Sequence, residues 1–282
     1  MPTLAQAGDE ENDMSTIGFI GSGNMAEALI RGIITAGVYQ PQDVSISDIR
    51  PERLQELAGK YGVVPRETNV QIVERAETVV LSVKPQVMNE ALQSIQGVPT
   101  TGRLFISIAA GVKVAKIAGA LGDVPIIRVM PNTPALVGAG ASALFANERA
   151  EPLLDRALSI FAAVGKAVVV REEGMIDAVT AVSGSGPAYF FLLMEAMIDA
   201  AVTLGLPPEV AKDLVLQTAK GAGLLAVEAD RNGESPAILR RKVTSPHGTT
   251  EAALKVFAAH GFPKLVAEAV TAARDRSREL SA

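Results

Sequence analysis

Val243, Thr244, Ser245, Pro246, His247, Gly248, Thr249 and Thr250 interrupt a long helix-forming stretch with hydroxyls, a Pro and a Gly. A bend of this composition, followed by Thr249, Thr250 and Glu251, predicts a helix start. Its free N–H donors and positive dipole end can hold a carboxylate without any Arg or Lys. Taken alone, the segment also reads as an ordinary capped helix.

A second group carries different chemistry. Gly18, Phe19, Ile20, Gly21, Ser22, Gly23, Asn24, Met25 and Ala26 read as a strand, a Gly-x-Gly-x-x-Ala turn and a helix. In a dinucleotide-binding turn Gly21 permits the tight bend, Gly23 lets the backbone approach a pyrophosphate, and Ala26 packs helix on strand. At the end of the next strand, Asp48 suits a free ribose 2′-hydroxyl and Arg50 suits a 2′-phosphate, so NADH and NADPH both stay open. Asn69, Val83 with Lys84 and Pro85, and Ala109 with Ala110 and Gly111 fall at strand ends or helix starts on the expected ligand edge. The stiff turn Pro131, Asn132, Thr133 and Pro134 falls there too, where it would border a nicotinamide.

The elements that must position these residues alternate from Thr16 to about Val170 between short β-branched runs and amphipathic stretches. Strands are expected at 16–20, 44–47, 78–83, 104–109, 126–130, 143–145 and 166–170. Helices are expected at 26–36, 51–60, 87–95, 112–121 and 152–164. Near-continuous apolar strands imply a parallel sheet covered on both faces. After Glu173 the strands cease, and Ala/Leu/Met-rich helices are expected at 176–182, 188–204, 209–229 and 249–260. The chain thus reads as a tail over 1–13, an α/β Rossmann-type dinucleotide-binding domain over 14–172, and an all-α domain over 173–282. Met14 stands as an alternative start. The later helices are apolar around much of their circumference, as in subunits that bury helices against each other.

The 282 residues are 48% hydrophobic with a net charge of -5. The basic residues are scattered, which argues against nucleic acid as a partner. No signal or transit peptide is read at the N-terminus, where Asp9, Glu10, Glu11 and Asp13 cluster. The best apolar run, Phe190 to Leu206, contains Glu195 and Asp199, so no membrane span is expected. With no Cys and only two His, disulfides and thiol nucleophiles are excluded, no metal site is expected, and a cytoplasmic location is compatible. Glu195 and Asp199 read as a solvated helix stripe, His260 as a neighbour of a helix C-cap, and Ser183 with Ser185 as the bend before a helix that Pro187 opens.

Taken together, Gly18 to Ala26, Val83 to Pro85, Met130 to Pro134, Val182 to Tyr189 and Val243 to Thr250 resemble the pyrroline-5-carboxylate reductase family in order and over nearly the whole chain. The resemblance implies an N-terminal NAD(P)H domain, a helical dimerisation domain, and reduction of 1-pyrroline-5-carboxylate to proline. It implies an active site where the cofactor domain meets helices of the dimer, and possible association of dimers into a larger oligomer. It assigns Gly21, Ser22, Gly23, Asn24 and Met25 to the pyrophosphate, Asn69 and Lys84 to the ribose and phosphate side, and Ala109 and Ala110 to the nicotinamide end. Ser245, Gly248, Thr249 and Thr250 would surround the substrate, with Thr250 hydrogen-bonded to the ring nitrogen. The family usually has Gly where this chain has His247, a departure that strains the loop if it needs φ > 0. Two other readings compete. One is another two-domain dehydrogenase, such as a 3-hydroxy acid enzyme with Lys212, Lys220 or Lys242 as its catalytic Lys; the other is a Rossmann protein that senses nucleotide without turnover.

Overall fold

The computed structural model describes residues 16–281, so the expected tail and the alternative start at Met14 lie outside the described residues. The described chain forms two compact units, 16–184 with 276–281, and 185–275.

The first unit is built on one eight-stranded sheet. Its strands are β1 (Ile17–Ile20), β2 (Val44–Ser47), β3 (Val64–Pro65), β4 (Thr78–Leu81), β5 (Leu104–Ser107), β6 (Ile126–Met130), β7 (Gly140–Ala146) and β8 (Gly165–Val169). The spatial order is β3-β2-β1-β4-β5-β6-β7-β8. Helices α1 (Asn24–Thr35), α2 (Pro51–Tyr61), α3 (Asn69–Arg75), α4 (Met88–Gln93), α5 (Val114–Leu121) and α6 (Leu154–Ala162) connect the strands. β1, β2, β4 and β5 are buried at every residue, which explains their unbroken apolar runs. One core layer gathers Phe19, Leu29, Ile30, Ile46 and Phe161, and the other gathers Ile20, Ile72, Leu81, Phe105 and Ile117.

Several features depart from the sequence reading, among them α10 (Pro236–Lys242) and α12 (Phe262–Ser281), for which no helix was expected. The sheet is not wholly parallel, because β7 runs antiparallel to β6. The nine-residue connection between them holds only a 3-10 turn over Thr133–Val137, too short for a crossover. β3 and α3 went unread because a two-residue strand and a seven-residue helix carry almost no periodicity.

α7 (Met175–Val179) and a π-helical turn (Thr180–Gly184) have helical texture but pack on β6 and β7, with Ile176 and Ala181 buried. They therefore fall in the first unit. α8 (Gly186–Thr203) starts after a bend at Ser185, so the Ser-Gly-Ser-Gly-Pro sequence bends as expected, with Pro187 in the first turn of α8. Met175–Thr203 taken together is long and apolar enough by length and composition to cross a membrane.

The second unit contains α8, α9 (Pro208–Asp230), α10 (Pro236–Lys242), α11 (Thr249–Ala259) and the greater part of α12 (Phe262–Ser281). Only Gly186, Ala211, Val215 and Ala229 are buried in it. Phe190, Phe191, Leu192, Leu224, Leu225 and Val227 are each more than half exposed. Helices this apolar and this bare have no core of their own to repay their ordering.

Candidate functional site

The β1–α1 turn is held from beneath. Gly21 has φ +91°, and its N–H donates to the Ser47 carbonyl at 2.9 Å. A Cβ there would lie 2.8 Å from Val83 Cγ1 and 3.0 Å from the Ser82 backbone, so Val83 packs where only Gly fits. Gly18 is also obligatory, since its Cβ would meet Ile72 Cγ2 at 2.5 Å. Gly23 differs: as N-cap of α1 it is extended, φ -73°, and a Cβ would meet nothing within 4 Å. Its freedom is thus not demanded by the protein, which suits a glycine that leaves room for a ligand. Asn24, Met25 and Ala26 form the first turn of α1, so their N–H groups have no intrahelical acceptors.

Ser22 is fully buried and spends its polar groups inward, donating its N–H to Asp48 Oδ2 at 2.8 Å and its hydroxyl to the Ser47 carbonyl at 3.2 Å. It shapes the turn and offers neither donor outward. Asp48 also accepts from the Arg50 N–H, Nε and Nη2 at 3.0, 2.9 and 3.1 Å. Burial pushes the Asp48 carboxyl up, but bonds from Arg50 and the Ser22 N–H outweigh it and leave the group below its ordinary value. Asp48 therefore braces the turn, and half-exposed Arg50 stands at its rim.

Glu27, in the first turn of α1, would repel an anion there if left alone. It is held by Lys60 Nζ at 2.7 Å, by Arg53 Nη2 at 2.5 Å and by Tyr61 Oη at 2.9 Å. The Lys60 bond, with those from Arg53 and Tyr61, overcomes desolvation and holds its carboxyl at about 2. Arg53 also pairs with Glu56 at 2.8 Å, so the two acids and two bases of the cluster balance.

The other expected cofactor residues line the same edge. Asn69 opens α3, where its Oδ1 accepts from Ser47 Oγ at 2.7 Å and its Nδ2 donates to Ser94 Oγ at 2.8 Å. Exposed Lys84 and then Pro85 follow β4, and no acid pairs with Lys84 among the described residues. Ala109 is buried and Ala110 exposed just past β5. Beyond β6, buried Asn132 accepts from the Ala141 N–H at 2.8 Å and donates to the Ser183 carbonyl at 3.0 Å. The fold thus gathers Gly21 to Met25, Arg50, Asn69, Lys84, Ala109 and Ala110 at the C-terminal ends of adjacent parallel strands, where such sheets bind ligands.

In the second unit the 243–250 segment is a tight turn. Thr244 Oγ1 donates to the Arg240 carbonyl at 2.6 Å, which closes α10. His247 has φ 61°, the one positive φ at a non-Gly residue among the described residues. Its N–H donates to Glu251 Oε2 at 2.7 Å, while Glu251 Oε1 faces Lys255 Nζ at 3.1 Å. Gly248 is the N-cap of α11, and a Cβ there would sit 2.5 Å from Ser245 Oγ. The N–H groups of Thr249, Thr250 and Glu251 are the orphan donors of that helix, with Thr250 partly buried beside them. Lys212 and Lys242, by contrast, are spent on surface ion pairs with Glu209 and Glu234.

Two polar links escaped the sequence reading. Arg128, in the middle of the apolar run Ile126–Met130, is buried and pairs with Glu173 at 3.0 Å. Asp177 is buried and accepts from Ser277 Oγ at 2.7 Å. A lone Arg inside an apolar strand was the available signal for the first, whereas the second had none.

A family described as pyrroline-5-carboxylate reductase dimerisation matches residues 173–280. One described as NADP oxidoreductase coenzyme F420-dependent matches residues 16–111. The chain is 48% identical over 272 residues to the pyrroline-5-carboxylate reductase of Pseudomonas aeruginosa, covering 95% of this chain and 98% of that one. It is 39% identical over 268 residues to that of Escherichia coli, covering 94% and 98%. Among solved structures, a pyrroline-5-carboxylate reductase from Coxiella burnetii superposes with a TM-score of 0.91 at 41% identity, covering 96% of this chain and all of that one. Plasmodium falciparum pyrroline carboxylate reductase with NADP bound gives 0.82 at 29%, covering 95% and 98%.

Proposed function

The chain belongs to the pyrroline-5-carboxylate reductase family, and from that premise we infer that it reduces 1-pyrroline-5-carboxylate to L-proline with NADPH or NADH, the last step of proline biosynthesis. The observation that carries the site assignment is the turn from Ser245 to Thr250. There a left-handed residue and a Gly N-cap present the free N–H groups of Thr249, Thr250 and Glu251 together with the Thr250 hydroxyl.

A cyclic imine bearing a carboxylate asks little of side-chain chemistry. NAD(P)H, when bound, supplies a hydride for the imine carbon, so neither a nucleophile nor a metal is needed. The N–H groups of Asn24, Met25 and Ala26 would hold the pyrophosphate, with Arg50, Asn69 and Lys84 on the ribose and phosphate side. Ala109 and Ala110 would border the nicotinamide. The α11 N-terminus takes the substrate carboxylate, and the commitment of Glu251 to the His247 N–H and Lys255 keeps its like charge occupied. Thr250 is the catalytic residue: its hydroxyl meets the ring nitrogen. A Thr hydroxyl is too weak an acid to protonate an imine alone, so Thr250 orients an iminium already protonated or relays a proton from water. The remaining work is alignment and exclusion of water.

The bare apolar helices of the second unit are covered by a second copy, and dimers associate further. In this reading Met175–Thr203 serves the subunit interface and not a bilayer, and the enzyme works in the cytoplasm. Loss of reduced-nicotinamide absorbance on adding 1-pyrroline-5-carboxylate tests the activity. Cofactor binding without oxidation would favour a nucleotide sensor, and oxidation with 3-oxo acids alone would favour a hydroxy acid dehydrogenase.

A further inference from the structure

The loop that leaves β5, residues 108–113, is anchored from two directions by groups far away in sequence. Glu173 Oε1 accepts from the Val114 backbone N–H at 2.8 Å and from Arg128 Nη1 at 3.0 Å. Val114 is the first residue of α5, so its N–H has no acceptor within the helix, and Glu173 supplies one. Arg128 lies on β6, the strand beside β5. One carboxylate oxygen therefore ties the far end of the loop to the neighbouring strand.

The second anchor is the C-terminal turn of α12. Gly111 has φ +72°, and a Cβ there would lie 2.9 Å from the Leu280 carbonyl oxygen, so loop and turn lie in direct contact. The turn is pinned in its own right. Ser277 Oγ donates to Asp177 Oδ1 at 2.7 Å, and Ser281 Oγ donates to the Ser277 carbonyl at 2.9 Å. Asp177 stands four residues beyond Glu173, so the turn before α7 and the helix itself hold the loop directly and through the last turn of α12. An ion pair as buried as that of Arg128 is weak ground for stability, because desolvation offsets the attraction. Its geometry, converging on a loop already held by Gly111, points to placement.

We propose that Glu173 is a positioning residue for the nicotinamide: it sets where Ala109 and Ala110 stand by holding the Val114 N–H. This rests on the reading above that those two alanines border the nicotinamide.

Glu173→Ala alone would strand the Arg128 charge and endanger the fold. The test therefore compares two double variants of the full chain, Arg128→Met with Glu173→Gln and Arg128→Met with Glu173→Ala. The Gln side chain keeps an oxygen for the Val114 N–H, and the Ala side chain does not. Binding of NADPH, and of ADP-ribose as a probe without nicotinamide, is measured by titration. The Ala variant should bind NADPH about fivefold more weakly than the Gln variant, the worth of one net hydrogen bond, with ADP-ribose bound equally by both. Equal NADPH affinity, or a parallel loss of ADP-ribose, would overturn the proposal. Neither readout needs turnover, so failure of the reductase reading would show separately as binding without oxidation of NADPH by 1-pyrroline-5-carboxylate.

Discussion

Replacing Gly23 with Ala separates what the fold needs from what a ligand needs. The backbone at Gly23 is extended, φ -73° and ψ -175°, a conformation Ala adopts freely, and the added Cβ meets nothing within 4 Å. Gly→Ala at such a position gains about 0.4–1 kcal/mol from the unfolded chain, while Ala is a poorer N-cap by a comparable amount. The two nearly cancel, so Tm should stay within about 4 °C of wild type. The cofactor should behave otherwise. A methyl carbon in the open space above the turn holds the pyrophosphate off the N–H groups of α1. Each charge-assisted bond lost there is worth about 1.5–3 kcal/mol, so NADPH affinity should fall at least about tenfold. Gly21→Ala is the contrast. With φ +91° and Ser82 backbone at 3.0 Å, it should cost about 2–4 kcal/mol of stability as well as binding. Nicotinamide fluorescence titration beside a thermal melt gives both numbers. A Gly23→Ala protein that binds NADPH as tightly as wild type would refute a pyrophosphate at this turn.

Thr250→Ala should lower turnover about tenfold with 1-pyrroline-5-carboxylate, and wild-type turnover would remove Thr250 from the mechanism. His247→Gly removes the cost of a left-handed L-residue, so substrate KM should be unchanged or lower; a large rise would make the imidazole a ligand contact. Arg50→Ala should raise KM for NADPH more than for NADH, and an equal effect on both would deny Arg50 a 2′-phosphate. Glu27 titrates near 4.5 when unfolded and at about 2 when folded, so its ion cluster stabilises the fold above pH 4.5 and loses that contribution as pH falls towards 2. The Tm gap between wild type and Glu27→Gln should therefore be widest above pH 4.5 and close below it, and a gap independent of pH would contradict the assignment.

Local chemistry was mostly legible. The Gly-x-Gly-x-x-Ala turn and the helix beginning at Thr249 follow from rules acting over a few neighbouring residues, which a sequence states outright, whereas the positive φ at His247 was hinted at only by the Gly usual there in the family. The order of strands and helices was nearly as plain, since apolar period and length report burial. Other features depend on which distant segments meet. The antiparallel β7 was settled by a connection too short to cross the sheet. Ser22 and Asp48 look like ligand groups in the motif, yet the turn consumes them, because a buried N–H and carboxylate must be paired with each other before they can serve anything else. Glu173 finds Arg128 across 45 residues, and Ser277 finds Asp177 across 100. Sequence by itself determined where a cofactor turn and an anion-holding helix start would form. Tertiary structure alone decided which polar side chains remained free to act there, since every buried hydrogen bond is a choice among partners that only packing brings within reach.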